Sequence, residues 1–175
     1  MMRVWSVSLA IFAVFLKAHA TFDIQGLTPL GEPNVYFLSS FSETWEKAEE
    51  FCKNVTFELL NVETEAENDF ILSLYSPKQI RSVNYKLKIQ LFADVTNRVW
   101  MGGTDVEAEI GSFYWTQSSQ PFNYTDWHVG EPSGTSNTTG QTERCVLYYN
   151  RRGDVKWNDA PCENAYPFIC EKVVP

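Results

Sequence analysis

The sequence predicts an α+β domain on three observations: two amphipathic helical patterns come early, and short aromatic and β-branched runs follow later. A polar stretch from Pro121 to Glu143 is set among those runs. At 175 residues, 44% apolar and 21% charged, the chain reads as one globular domain.

The elements follow in order. Arg3 precedes an apolar run from Val4 to Leu16 that ends in Ala18-His19-Ala20, so residues 1–20 read as a secretory signal peptide cleaved before Thr21. That run is shorter than the roughly 20 residues a hydrocarbon core requires. The expected product is secreted and extracellular, with no membrane span. Residues 21–34 form a short lead containing Pro29, Gly31 and Pro33, and the domain is expected over 35–175.

Val35 to Leu38 reads as a first strand, and Thr44 can cap a helix from Trp45 to about Lys53. Trp45, Ala48 and Cys52 share one face of it, which aims Cys52 at the core. Thr64 and Glu67 form a capping box for a second helix, with Phe70, Ile71, Leu74 and the stem of Glu67 on one side and a stop by Ser76-Pro77. In residues 77–97, Lys78, Arg81, Lys86 and Lys88 alternate with Leu87, Ile89, Leu91 and Phe92, a pattern suited to a basic surface hairpin or loop.

Val99 to Met101 and Phe113 to Trp115 read as strands, as do Cys145 to Tyr149 and Val155 to Trp157 around a turn at 150–154, and finally Tyr166 to Cys170. The stretch from Pro121 to Glu143 is too long for an ordinary connection, and such loops are usually functional. Trp45, Trp100, Trp115, Trp127 and Trp157 fall on elements or loop margins and are expected to anchor the core or the loops.

Charge and composition exclude several functions. Acidic residues outnumber basic ones 22 to 14, and loss of Arg3 and Lys17 with the leader takes the net charge from −8 to −10. No basic stripe could track phosphates, which argues against nucleic acid as a partner. The four cysteines, Cys52, Cys145, Cys162 and Cys170, suit two disulfides in an oxidising compartment, in any of three pairings. On the loop-entropy model a bridge from 145 to 162 would contribute about 3 kcal/mol and one from 52 to 170 about 4.7 kcal/mol. No Cys-x-x-Cys spacing supports zinc. After loss of the leader only His128 could serve as a catalytic imidazole, and no Gly-x-Ser-x-Gly elbow accompanies it. Sequons at Asn54, Asn123 and Asn137 mark expected surface positions and glycosylation sites.

Glu131, Glu143, Asp159 and the Asn158 amide are hard oxygen donors gathered around the long loop and the strand after it. They suit Ca²⁺ better than zinc or copper. The residues around them resemble those of the C-type lectin-like domain family over Val35 to Glu171. The resemblance rests on Trp100-Met101-Gly102-Gly103, Glu131-Pro132-Ser133, Trp157-Asn158-Asp159-Ala160-Pro161-Cys162 and Phe168-Ile169-Cys170-Glu171. The chain is most similar to short, single-domain secreted members of invertebrate type.

The resemblance implies two helices packed on small antiparallel sheets, a long calcium- and sugar-binding loop, and the disulfides Cys52–Cys170 and Cys145–Cys162. It also implies one Ca²⁺ held by Glu131, Ser133, Glu143, Asn158 and Asp159, with two vicinal sugar hydroxyls completing the coordination and bonding to the same side chains. Ser133 stands where the family has Asn or Asp, which implies weaker calcium or altered choice between mannose-type and galactose-type sugars. Asp105 and Glu109 match half of an auxiliary calcium site, but Gly134 and Arg144 replace its loop acids. Arg144 is therefore expected to pair with Asp105 or Glu109. Glu32-Pro33-Asn34 precedes the first strand and reads as a coincidental turn, while Tyr124 and His128 are candidates for secondary sugar contacts.

Three function classes follow. The leading one is a calcium-dependent lectin recognising glycans in innate immunity. The second is a calcium-independent module of the same fold that binds a protein or another non-sugar ligand, a reading that Ser133 favours. The least supported is a glycosidase using Glu131 and Glu143 as a carboxylate pair. A binding protein, not an enzyme, is expected.

Overall fold

The computed structural model describes residues 26–30, 35–75 and 97–173. The leader, the Glu32-Pro33-Asn34 tripeptide and nearly all of the basic pattern at 77–97 lie outside the described residues. Two antiparallel sheets carry the fold. The first is ordered β1 (Leu27–Pro29), β2 (Tyr36–Ser39), β9 (Ile169–Glu171), β3 (Glu58–Leu59). The second is ordered β6 (Gln120–Pro121), β5 (Tyr114–Trp115), β4 (Arg98–Thr104), β7 (Cys145–Arg151), β8 (Asp154–Ala160). The lead is thus not mere connection, since β1 pairs with β2 from Leu27↔Ser39 to Pro29↔Phe37.

Helix α1 (Trp45–Asn54) begins at Thr44, which has extended backbone and makes no side-chain cap bond. It buries Trp45, Ala48 and Cys52, the expected stripe. Cys52 bonds Cys170 on β9, closing the ends of the domain, and Cys145 bonds Cys162 beside β7. In α2 (Glu65–Tyr75) the Thr64 hydroxyl accepts from Glu67 N at 3.2 Å, as a cap should. The Glu67 carboxylate reaches back one residue further than expected, to Glu63 N at 2.9 Å.

The buried face of α2 differs from the expected one. Phe70 is 39% exposed, and the fully inward positions are Ile71 and Asn68. Asn68 Oδ1 accepts from Tyr148 Oη at 2.8 Å and Trp157 Nε1 at 3.2 Å, and its amide donates to Asp126 Oδ2 at 3.1 Å. A polar side chain is buried here because three partners satisfy it.

The Trp100-Met101-Gly102-Gly103 strand lies where both sheets meet. Gly102 N donates to Leu60 O at 2.7 Å, and a Cβ at Gly102 would stand 2.7 Å from Leu59 O. At Gly103 a Cβ would stand 2.5 Å from Phe122 Cζ. Glycine lets one strand touch backbone on one side and an aromatic ring on the other. Trp45 Nε1 donates to Met101 O at 2.7 Å, tying α1 to the same strand.

Candidate functional site

The long loop is fastened at its root by aromatic packing. Trp115, Phe122, Tyr124 and Trp127 all lie within 6 Å of the Trp157 ring centroid, mostly edge to face. Backbone bonds from Trp157 N to Asp126 O and from His128 N to Trp157 O, at 2.8 and 2.9 Å, align the loop beside β8. Lys156 on β8 adds an ion pair with Asp126. The tryptophans therefore anchor the core and loops, as expected.

His128 does not meet its expectation as a sugar contact. It is 5% exposed, and its Nε2–H donates to the Tyr149 carbonyl at 2.8 Å. Tyr124 lies edge-on to Trp157, with its hydroxyl held above the usual range chiefly by burial. The three sequon asparagines, Asn54, Asn123 and Asn137, are all exposed.

Beyond His128 the loop passes Glu131, joined to Pro132 by a cis peptide, and then folds on itself. Glu143 N donates to Gly134 O at 3.0 Å and Ser136 N to Gln141 O at 2.8 Å, making 134–143 a small hairpin. Gly134 and Gly140 adopt φ of 67° and 72° there, conformations glycine takes without strain.

This folding brings the five expected residues together. Asp159 is buried, and its carboxylate accepts Ser133 N at 3.0 Å and Gly134 N at 2.7 Å. The Ser133 hydroxyl donates to Glu143 Oε2 at 2.8 Å, and the Asn158 amide donates to the Asp159 carbonyl. Burial pushes Asp159 up to about 6, and also raises Glu143.

Arg151, which sequence reasoning passed over, completes the cluster. Its Nη2 donates to Glu131 Oε1 at 2.7 Å and to Asn158 Oδ1 at 2.8 Å, while its guanidinium carbon lies 5.1 Å from the Tyr149 ring centroid. The signal for it is the hairpin: Arg152 and Gly153, at φ of 58° and 95°, connect β7 and β8. The register Leu147↔Asn158 and Arg151↔Asp154 then sets Arg151 on the same face as Asn158.

The donor set fits a hard divalent cation. Every side-chain ligand atom on offer is oxygen, and Glu131 Oε2 is buried without a hydrogen-bond partner among the described residues, a site that a cation would satisfy. Among the described residues no three carboxylates, imidazoles or thiolates converge as a metal-holding group. Both Asp159 oxygens accept from backbone amides, and one Glu143 oxygen accepts from Ser133. Asp105 lies in a separate place, where Arg144 Nε meets Asp105 Oδ1 at 2.8 Å and Gly111 N meets Oδ2 at 2.6 Å. Of the two acids offered for pairing with Arg144, Asp105 takes it.

Comparison with known proteins agrees with this architecture. The lectin C-type domain family model matches residues 41–172. The C-type lectin mosGCTL-7 of Culex quinquefasciatus is 31% identical, over 97% of this chain and 93% of its own length. The carbohydrate-recognition domain of human scavenger receptor C-type lectin shares 28% identity at a TM-score of 0.57, covering 78% of this chain and 88% of that one. That of cow CD23, solved in the presence of a GlcNAc2Man3 oligosaccharide, shares 28% at 0.56, over 80% and 88%. No helix among the described residues is long and apolar enough to cross a membrane. The chain belongs to the C-type lectin domain family, whose members are binding proteins and not enzymes.

Proposed function

We propose that the protein is a secreted, calcium-dependent lectin that binds glycans in innate immunity, with one ion held by Glu131, Ser133, Glu143, Asn158 and Asp159. The observation that carries this reading is the convergence of those side chains from a folded loop and the adjacent strand, on a lectin fold. Calcium, when bound, offers two neighbouring sugar hydroxyls a shared electrostatic anchor. The carboxylates of Glu131 and Glu143 accept hydrogen bonds from those hydroxyls and the Asn158 amide donates to them, so their spacing sets which pair of hydroxyls fits.

Ser133 adapts the site. Its hydroxyl is short and already donates to Glu143, so it offers the cation less than an amide carbonyl would, and calcium is held more weakly. The Arg144–Asp105 pair supports one ion per chain, because an internal cation already compensates the second acid. The exposed Asn137 stands on the loop hairpin, where a glycan can be attached.

Calorimetric calcium titration of the secreted, disulfide-bonded protein, repeated with mannose, fucose and galactose, tests the reading. One ion per chain at millimolar or better affinity, with a sugar heat that EDTA abolishes, supports it. No calcium heat overturns it and directs the search to a protein or other non-sugar ligand.

A further inference from the structure

We propose that Arg151 is a tethered cation that shares the calcium ligands, so that binding an ion requires its guanidinium to leave. The inference rests on the calcium reading above. One guanidinium nitrogen donates at 2.7 Å to Glu131 Oε1 and at 2.8 Å to Asn158 Oδ1. These are two of the oxygens assigned to the ion, and a cation and a guanidinium cannot both occupy the space between them. Glu131 carries a negative charge at this position, which is offset when a positive one stands against it. Arg151 supplies that charge from within the chain.

Exchange is sterically open. The Arg151 side chain is 40% exposed, and it rises from the end of β7 beside a turn that faces solvent. Swinging outward costs the two hydrogen bonds to Glu131 and Asn158. In its present position the guanidinium carbon also lies 5.1 Å from the Tyr149 ring centroid, a ring that Arg98 approaches at 4.3 Å. Arg151 thereby keeps Glu131 and Asn158 in place before the ion arrives and sets the calcium concentration at which they let go of it.

Arg152 provides an internal control. It is the next residue, exposed, and of the same charge, and among the described residues it has no hydrogen-bond or ion-pair partner. Calcium affinity of the full secreted chain is measured by calorimetry for wild type, R151A, R151Q and R152A at 0.15 M salt, where distant charges are screened beyond about 8 Å. Thermal melting in EDTA is measured alongside. The expected result is that R151A and R151Q bind calcium at least about fivefold more tightly than wild type, while R152A stays within about twofold. In EDTA, R151A and R151Q melt below wild type and R152A does not, because only Arg151 braces the empty ligands.

Equal or weaker calcium binding by R151A and R151Q, with wild type binding one ion, overturns the inference and leaves the calcium reading standing. Equal tightening by R152A also overturns it, since bulk charge then explains the effect. If no variant binds calcium, both the inference and the calcium reading fall.

Discussion

Replacing Arg144 with methionine removes the cation from a carboxylate that has no exposure. Asp105 is fully buried, and Arg144, 25% exposed, bonds its Oδ1 at 2.8 Å and the backbone carbonyls of Asp105 and Ala108. Methionine keeps the apolar stem but leaves the Asp105 carboxylate with Gly111 N, at 2.6 Å, as its remaining recorded donor. Breaking a buried pair from one side costs about 3–5 kcal/mol, and the surviving amide bond with the partial exposure of Arg144 places this case near 3 kcal/mol. Urea unfolding followed by tryptophan fluorescence, with both disulfides intact, measures it directly.

Asp105→Asn in the Arg144→Met background completes a double-mutant cycle. Once the charge is gone the missing guanidinium matters less, so the double variant should recover about 2 kcal/mol relative to the sum of the single changes. The loss should persist in 0.5 M salt, because a buried pair is poorly screened. A cost under about 1 kcal/mol, or one that vanishes with salt, would refute the view that this pair holds the 105–111 loop.

Three further outcomes follow from other contacts. Asn68→Ala orphans Tyr148 Oη and Trp157 Nε1 on the root of the binding loop, so unfolding should become easier by about 3 kcal/mol, and a cost below about 1 kcal/mol would show the network to be dispensable. Glu171, pushed up to about 7 by burial and then by Glu67 and Glu63, holds its proton to higher pH in the fold than when unfolded, where the value is 4.5. Stability should therefore fall as pH rises from about 4.5 to 7, and Glu171→Gln should abolish that slope and gain about 2 kcal/mol at pH 8 but nothing at pH 4, read by melts across pH. Asp159→Ala removes the acceptor for Ser133 N and Gly134 N, so hydrogen exchange at those two amides should accelerate about tenfold or more and calcium heat should disappear.

Much of this was legible in the sequence where a side chain's neighbours are local. The stripe of Trp45, Ala48 and Cys52 follows from helical period alone, and the Thr64 cap from the Thr64–Glu67 spacing. Phe70 misleads because an apolar stripe is assumed to face inward, whereas α2 turns Asn68 into the core to meet partners 58 to 89 residues away. No local pattern announces such a network. The three-residue strand Leu27–Pro29 is equally silent, being too short to show alternation and ending in proline. Glu131, Glu143, Asn158 and Asp159 could be read as a set of oxygen donors and Ser133 joined them through the family resemblance, but the loop closes around them through backbone bonds at Gly134, which no side-chain pattern encodes.

The two arginines show where that limit lies and what the chain does with its acids. Arg144 could be paired with Asp105 or Glu109 from sequence because it occupies a place where an acid was expected, and the structure selects Asp105. Arg151 could not be assigned to Glu131, because its reach depends on the hairpin register that returns β8 alongside β7. Their settings differ in the property that decides exchange. Arg144 is one quarter exposed, grips three acceptors and faces a carboxylate with no access to water, so an ion displacing it would have to break all three bonds at a closed site. Arg151 is 40% exposed and held through a single nitrogen, beside a Glu131 oxygen that has no hydrogen-bond partner among the described residues. On the proposed reading, a divalent cation would compete at the second position and not at the first. One exchangeable and one permanent internal cation would give a lectin domain with a single calcium site whose threshold is written into the tip of one hairpin.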